Sequence, residues 1–164
     1  MHNKFYLYLV HKELLMKDIT IDYALRATWQ AVTKMYNEEA KQFGSTMAVG
    51  FTLLSIDPKT GTPSTSLGPK MGMEATSLSR ILKSMEEKGL IERRPNPADG
   101  RGVLIYLTDF GLEKRNDSKE AVMRFNNSVR ENVSQEQLDN FFEVAETINR
   151  LIAEKKIYNK KTTE

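Results

Sequence analysis

The segment from Gly72 to Gly111 constrains the fold more than any other part of the sequence. Its first half carries apolar residues at helical spacing, and Gly89 then stands where an αL residue commonly ends a helix. Two short β-prone runs follow, Leu90 to Arg94 and Val103 to Leu107, with PNPADGRG between them. The prolines and glycines of this spacer favour a turn over a ladder. The segment therefore predicts a helix followed by a β-hairpin with a long tip.

The predicted helix has two chemically different faces. One is an apolar stripe that other parts of the protein must cover, formed by Leu78, Ile81, Leu82 and Met85. The residues on the opposite face are small, hydroxylic or cationic, whereas a helix that is merely solvated usually mixes Glu and Lys. Short hydroxyls and an arginine suit close approach to base edges and phosphates. This face comprises Ala75, Thr76, Ser77, Ser79, Arg80 and Lys83.

The predicted hairpin is basic. Arg93 and Arg94 lie at its approach and Arg101 lies in the tip, two residues after Asp99. The Asp99 carboxylate could hold the Arg101 guanidinium in one orientation, and an oriented cationic arm suits a narrow groove of DNA. We predict all four residues to belong to a DNA-binding surface.

This order of elements resembles the winged helix-turn-helix of the multiple-antibiotic-resistance-regulator (MarR) family. In that family the wing carries Asp-x-Arg, and the strand after it ends in Leu-Thr-x-x-Gly. Here Asp99, Arg101, Leu107, Thr108 and Gly111 occupy those places, and the resemblance covers roughly residues 20 to 155. It implies a transcription regulator that binds double-stranded DNA as a homodimer at an inverted repeat. Repression is the commoner mode of action in the family.

The resemblance also implies roles for individual side chains. Lys70 and Lys83 would contact phosphates, and Arg101, steadied by Asp99, would enter the minor groove. The sequence departs from the family at Ala75, where a polar or basic residue is common, so one base contact is expected to be missing. The residues that would read or flank bases are Thr76, Ser77, Ser79 and Arg80.

Three helices are predicted before this segment. The first runs from Thr20 to a stop at Gly44, and the second follows Ser45 or Thr46. We expect the second to bury Met47, Phe51 and Leu54. The third, Leu67 to Met71, is expected to be capped by Thr65 or Ser66, with Pro69 in its first turn and Gly72 at its end. Two helices joined by a tight glycine turn form a helix-turn-helix.

Two more helices are predicted after the hairpin. Thr108 is a suitable N-cap for a helix that runs to about Asn132, and Ser134 to Gln137 form a capping box for the last helix. The apolar stripes of the first helix and the last two are too extensive to be buried within one subunit, and a homodimer would cover them. The predicted interface residues are Ile21, Leu25, Phe125, Leu138, Phe141, Phe142, Ile148 and Ile152.

These elements predict a mainly α fold with a small β-hairpin wing and dimerisation helices at both ends. We expect one domain over residues 16–155, with the winged helix at about 46–108 and the dimerisation helices at about 20–43 and 109–155. Residues 156–164 would form a basic tail. Residues 1–15 lie outside the resemblance. They are either an extension from an upstream start codon or an extra helical turn that packs on a partner.

Composition excludes most other classes of protein. The chain has no cysteine, both histidines lie within its first eleven residues, and no phosphate-binding glycine motif occurs, so we expect no enzyme, cofactor or metal site. The apolar run near the N-terminus is too short to cross a membrane, and a cytoplasmic location is expected. The net charge is only +2, so any binding to DNA must depend on local basic patches and not on the overall charge.

Two alternatives remain open on the sequence. Trp29 and Tyr36 could line a pocket for a small aromatic or anionic effector, of the kind that the family commonly binds, or they could be core residues at helical spacing. The competing function is a winged-helix module that binds protein and has only weak, non-specific affinity for DNA.

Overall fold

The structure, a computed structural model, describes residues 19–158, and at residues 99–101 it describes the backbone alone. The predicted extension 1–15 and most of the predicted basic tail lie outside these residues. The mainly helical fold with a small antiparallel sheet is confirmed. No helix of the described range is both long and apolar enough for a membrane span. The elements are α1 (Ile21–Lys41), α2 (Met47–Ser55), β1 (Thr62–Pro63), α3 (Ser64–Met71), α4 (Ala75–Glu87), β2 (Ile91–Asn96), β3 (Asp99–Leu107), α5 (Asp109–Asn132) and α6 (Gln135–Ala153).

The described chain falls into two compact units with their boundary after Ser118. In the first unit, α2, α3 and α4 pack with the sheet around one apolar core. Burial of these side chains from water is the main source of stability for a unit of this kind. The core residues are Val49, Leu53, Ile56, Leu67, Leu78, Leu82, Met85, Leu90, Ile91 and Ile105. The second unit contains α6 and the part of α5 that follows Ser118.

The sheet has the order β1-β3-β2 and is antiparallel throughout. Its hairpin is longer and its tip shorter than predicted, because the ladder continues to the pair Asn96 and Asp99, with a register irregularity after Pro95. Pro95 is tolerated because β2 is an edge strand, where a missing N–H leaves no neighbouring strand unpaired. The expectation that both prolines would lie outside the ladder was therefore wrong for Pro95, whereas Pro97 lies in the turn as expected. The strand β1 was not predicted.

The helix α3 begins earlier than predicted. Its first residue is Ser64, with Pro63 at the N-cap, so Pro69 lies inside the helix and not in its first turn. The Ser66 hydroxyl donates to the carbonyl of Pro63 and does not cap the helix. The predicted cap at Thr65 or Ser66 was wrong because Pro63, with its fixed φ, already introduces the first turn.

The buried face of α2 also differs from the prediction. The structure buries Val49, Thr52 and Leu53, while the three residues that we expected to be buried, Met47, Phe51 and Leu54, are only half-buried. Because α2 is apolar almost all round, periodicity could not select its inner face. Of the two residues predicted to precede this helix, Ser45 and Thr46, the N-cap is Thr46, whose hydroxyl accepts from the Val49 N–H at 3.3 Å.

Candidate nucleic-acid interface

A tight glycine corner sets the start of α4. Gly72, with φ of 60°, ends α3, and the Met73 N–H donates to the Gly68 carbonyl at 3.0 Å. A Cβ on Gly68 would lie only 3.2 Å from the Met73 carbonyl oxygen, so the two helices meet closely. The corner therefore has the geometry of a helix-turn-helix.

The helix α4 presents the predicted polar face to solvent. Leu78, Leu82 and Met85 are buried on the core side of the helix. Arg80 makes no ion pair or side-chain hydrogen bond with any group that the structure describes, a set that leaves out the side chains of residues 99–101, and Lys83 lies 3.9 Å from the Glu87 carboxylate. Arg80 is therefore available to an external acceptor. The predicted contact residues that the structure exposes here are Lys70 on α3 and Ala75, Thr76, Ser77, Ser79, Arg80 and Lys83 on α4.

Each of the two arginines on β2 has a carboxylate partner, which sequence reasoning missed. The Arg93 Nε donates to Glu86 of α4 at 2.9 Å. Arg94 pairs with Glu92, and its guanidinium lies over the Tyr106 ring, 4.4 Å from the centroid. The signal available in the sequence was strand alternation, which places Arg93 and Arg94 on opposite faces of β2.

The backbone of Asp99 and Arg101 lies on β3, beside the tip of the hairpin. Their side chains are outside what the structure describes, so the orientation of Arg101 by Asp99 stays a prediction.

Contacts at the base of the wing explain why a threonine and a glycine stand at the fixed positions of the Leu-Thr-x-x-Gly motif. The Thr108 hydroxyl donates to the Gly89 carbonyl at 2.6 Å and accepts from the Gly111 N–H at 3.0 Å. The Thr108 N–H donates to the Leu90 carbonyl at 3.2 Å. A Cβ on Gly111 would lie 1.9 Å from that same carbonyl oxygen, so only glycine fits. One threonine and one glycine thus join the end of α4, the start of β2 and the start of α5.

The two residues predicted to line a pocket lie on either side of Phe51 of α2. The Trp29 and Phe51 ring centroids are 6.4 Å apart, and those of Tyr36 and Phe51 are 6.2 Å apart. Trp29 is about half exposed (52%), whereas partial burial raises the pKa of the Tyr36 hydroxyl. This aromatic cluster joins α1 to α2 and still presents ring surface to solvent.

The predicted dimer residues differ in their exposure. Ile21 and Leu25 of α1 are exposed in the first unit. In the second unit, Phe141 and Phe142 form an edge-on ring pair with centroids 5.5 Å apart, and both are more than half exposed, as is Ile152. Phe125 and Ile148 are half-buried, and Leu138 is buried. Each unit thus exposes large apolar side chains, and contiguous patches of such side chains are commonly sites of contact with another molecule.

The fold and the exposed face of α4 define a winged helix-turn-helix protein. The sequence model of the MarR family matches residues 46–103, which include α2, α3, α4 and β2. YdgJ, an uncharacterised HTH-type transcriptional regulator of Bacillus subtilis, is 38% identical over 71 residues, which are 43% of this chain and 43% of YdgJ.

Solved structures agree with this assignment at the level of the fold. MepR of S. aureus, solved as a complex with DNA, has a TM-score of 0.73 and 20% identity, covering 82% of this chain and 99% of MepR. PcaV of Streptomyces coelicolor, solved with its natural ligand, has a TM-score of 0.67 and 20% identity, covering 79% of this chain and 92% of PcaV. The chain is thus similar to the MarR family in sequence over residues 46–103 and in fold over most of its length. Members of this family are transcription regulators and not enzymes.

Proposed function

We propose that the protein is a sequence-specific transcription regulator that binds an inverted-repeat operator as a homodimer and represses transcription in the cytoplasm. The observation that carries the proposal is the exposed face of α4, where Arg80 lies among short hydroxyl side chains and has no partner in the described chain. A helix with this face fits the major groove, where arginine recognises guanine through two hydrogen bonds. The DNA complex of MepR, which has the same fold, supports the proposal.

In this proposal the contacts divide into reading and positioning. Arg80, with the hydroxyls of α4, reads or flanks bases, while Lys70 and Lys83 bind phosphates. Arg101 of the wing, oriented by Asp99, enters the minor groove. Arg94 points away from the core on β2 and keeps free N–H groups beside Glu92 for a phosphate. Ala75 lies on the same face and contributes no hydrogen bond.

The homodimer is supported by the apolar side chains that a single chain leaves exposed. Ile21 and Leu25 of α1, and Phe141, Phe142 and Ile152 of α6, would be buried between two copies. Two-fold symmetry would place two α4 helices in successive major grooves, about 34 Å apart. An inverted repeat matches that symmetry.

Alanine substitution separates reading from positioning on α4. We expect Arg80→Ala to cost about 1–3 kcal/mol of operator affinity and to relax base preference at one or two positions of each half-site. Lys83→Ala should weaken all sequences alike and reduce the salt slope by about one per subunit. The measurement is selection of bound sites from randomised DNA, followed by salt titration. In the same selection, Arg101→Ala should lose the preference for A·T-rich sequence beside each half-site, where the minor groove is narrow. If Arg80→Ala and Arg101→Ala both kept the preferred site of the parent, base reading by this surface would be excluded.

The competing function is a module that binds protein and contacts DNA only weakly. The two functions differ in salt dependence, because a protein that neutralises phosphates releases counterions and loses affinity steeply as salt rises. A flat salt titration on DNA, together with no enrichment of any site, would favour the interaction module.

We also propose that a small aromatic or anionic effector binds beside Trp29 and Tyr36 and releases DNA. The ligand complex of PcaV supports a ligand in a protein of this fold. Trp29 is the only tryptophan of the chain, so its emission should change when an aromatic carboxylate such as benzoate binds. We expect a saturable change and weaker operator binding at the same concentrations. Free N-acetyltryptophanamide, titrated with benzoate in the same buffer, is the control for non-specific changes in tryptophan emission. No saturation up to about 10 mM would contradict a site for this class of ligand.

A further inference from the structure

Arg93 and Arg94 are neighbours in sequence but lie on opposite faces of β2. Arg93 pairs across the ladder with Ile105, which is fully buried, so its side chain starts on the face that covers α4. Arg94 pairs across the ladder with Leu104 and starts on the outer face. Alternation along a strand therefore separates two residues that look equivalent in the sequence.

Arg93 reaches back to the last turn of α4. Its Nε donates to Glu86 Oε2 at 2.9 Å, and the side chains of Arg93 and Glu86 are 37% and 43% exposed. A charge-assisted hydrogen bond of this length has favourable geometry, although solvent screening at this exposure reduces its strength. The Arg93 side chain thus binds Glu86 of α4 on the side of the wing that faces this helix.

Few polar contacts fix the wing relative to α4. At the base of the wing, the Leu90 N–H donates to the Met85 carbonyl at 2.9 Å, and Thr108 binds Gly89 and Leu90. Beyond Ile91, the Arg93 pair is the one hydrogen bond or ion pair of the described residues that joins β2 to α4. Gly89, with φ of 69°, turns the chain between the two elements at this hydrogen-bonded base, and the strand beyond Ile91 extends away from it.

We propose that Arg93 and Glu86 are a positioning pair that fixes the wing against the recognition helix α4. The pair would set the distance between the major-groove contacts of α4 and the contacts of the wing tip. This inference rests on the proposed DNA-binding function. It assigns Arg93 to the spacing of contacts within each half-site and not to a phosphate or a base. Its partner, Glu86, then favours DNA binding although its charge is repelled by phosphate.

Arg94 provides a matched control for this proposal. Its partner, Glu92, lies two residues away on the same strand, and Tyr106 belongs to the same sheet. The contacts of Arg94 therefore stay within the wing. Glu92→Gln removes the same charge as Glu86→Gln, but it does so on the outer face of the wing and leaves the connection to α4 intact.

The first test measures operator affinity in the full-length protein. We expect Glu86→Gln to weaken operator binding by about tenfold in a dimer that loses two such pairs, with little change on random DNA. Glu92→Gln should bind operator as tightly as the parent or more tightly. The charge-reversed double variant, Glu86→Arg with Arg93→Glu, should recover affinity to within about twofold of the parent. Tighter binding by Glu86→Gln, or no recovery in the double variant, would overturn the proposal.

The second test requires no DNA. Because the chain has no cysteine, spin labels can be attached through Lys83→Cys on α4 and Ala98→Cys at the wing tip. Dilution with unlabelled chains leaves one labelled subunit in each dimer. Glu86→Gln should broaden the distribution of distances between the labels, and Glu92→Gln should not. An unchanged width in Glu86→Gln would overturn the positioning role. Broadening, together with no DNA binding by the unlabelled parent that keeps Lys83, would support the positioning contact and refute the proposed function.

Discussion

Gly111→Ala is expected to destabilise the protein by about 3 kcal/mol, since it forces an atom into an occupied place in a rigid junction. The new Cβ would lie 1.9 Å from the Leu90 carbonyl oxygen and 3.0 Å from its carbon. The Leu90 carbonyl cannot easily move away, because it accepts from the Thr108 N–H while Thr108 also holds Gly89. Relief of the clash would require the start of α5 to separate from the base of the wing.

Thermal or urea unfolding measures this effect, and two other glycines serve as controls. A loss of about 3 kcal/mol should lower the midpoint by about 6 to 12 °C in a chain of this size. Gly44→Ala meets nothing within 4 Å and costs only the strain of a positive φ, about 1 kcal/mol. Gly50→Ala meets the Ser118 hydroxyl at 3.3 Å, which can rotate away. If Gly111→Ala proved no worse than Gly44→Ala, the close packing described at this junction would be incorrect.

Phe142→Lys is expected to convert the proposed dimer to monomers and to lower operator affinity by about 100-fold or more. Phe142 is 54% exposed in the single chain and forms a ring pair with Phe141, so its burial would come from a second copy. A lysine at this position would place a charge in that apolar contact, where no partner compensates it. A monomer would also lose the gain in affinity that comes from binding two half-sites at once.

The adjacent residue provides the control. Glu143→Lys introduces the same side chain about 100° around α6, on the face that also carries Asp139, Glu146 and Arg150. Light scattering should give a dimer for Glu143→Lys and a monomer or unfolded chain for Phe142→Lys. A stable dimer in both variants, or a folded monomer in the parent at micromolar concentration, would refute the proposed interface.

The elements that could be predicted correctly from the sequence are those that depend on residues close together in the chain. The stripe that contains Leu78, Leu82 and Met85 has one possible inner face, so its burial follows from periodicity alone. Gly72 and Gly89 adopt the positive φ expected of residues that follow helices. The capping box at Ser134 and Gln137 forms as predicted, because both partners lie within one turn.

The errors arose where distant parts of the chain decide the outcome. Pro95 continues the ladder because β2 is at the edge of the sheet, and strand order cannot be read from composition. The two-residue strand β1 is too short to have a period, and it exists because β3 lies beside it. The inner face of α2 is chosen by what packs against Thr52 and Leu53, since the helix is apolar on most sides.

The candidate site divides in the same way. The exposed position of Arg80 follows from its spacing to Leu78 and Leu82 within one helix. The contact between Arg93 and Glu86 depends on the turn at Gly89 and on the phase of β2, which together bring the end of a helix beside a strand. The separation of these two residues along the chain does not by itself predict that their side chains are in contact. The wing arginines were therefore identified as a group, but their separate environments were not.

The pairing of β1 with β3 has a consequence for how the first unit comes apart. β1 precedes α3, and β3 follows β2, so the bonds from Thr62 to Ile105 close a loop that contains all of α3 and α4. Neither helix can peel away from the sheet as a terminal segment would, because the chain on both sides is anchored in the same strand pair. Loss of the helix-turn-helix and loss of the wing thus become one cooperative event, and partial unfolding of the protein is directed towards its two ends.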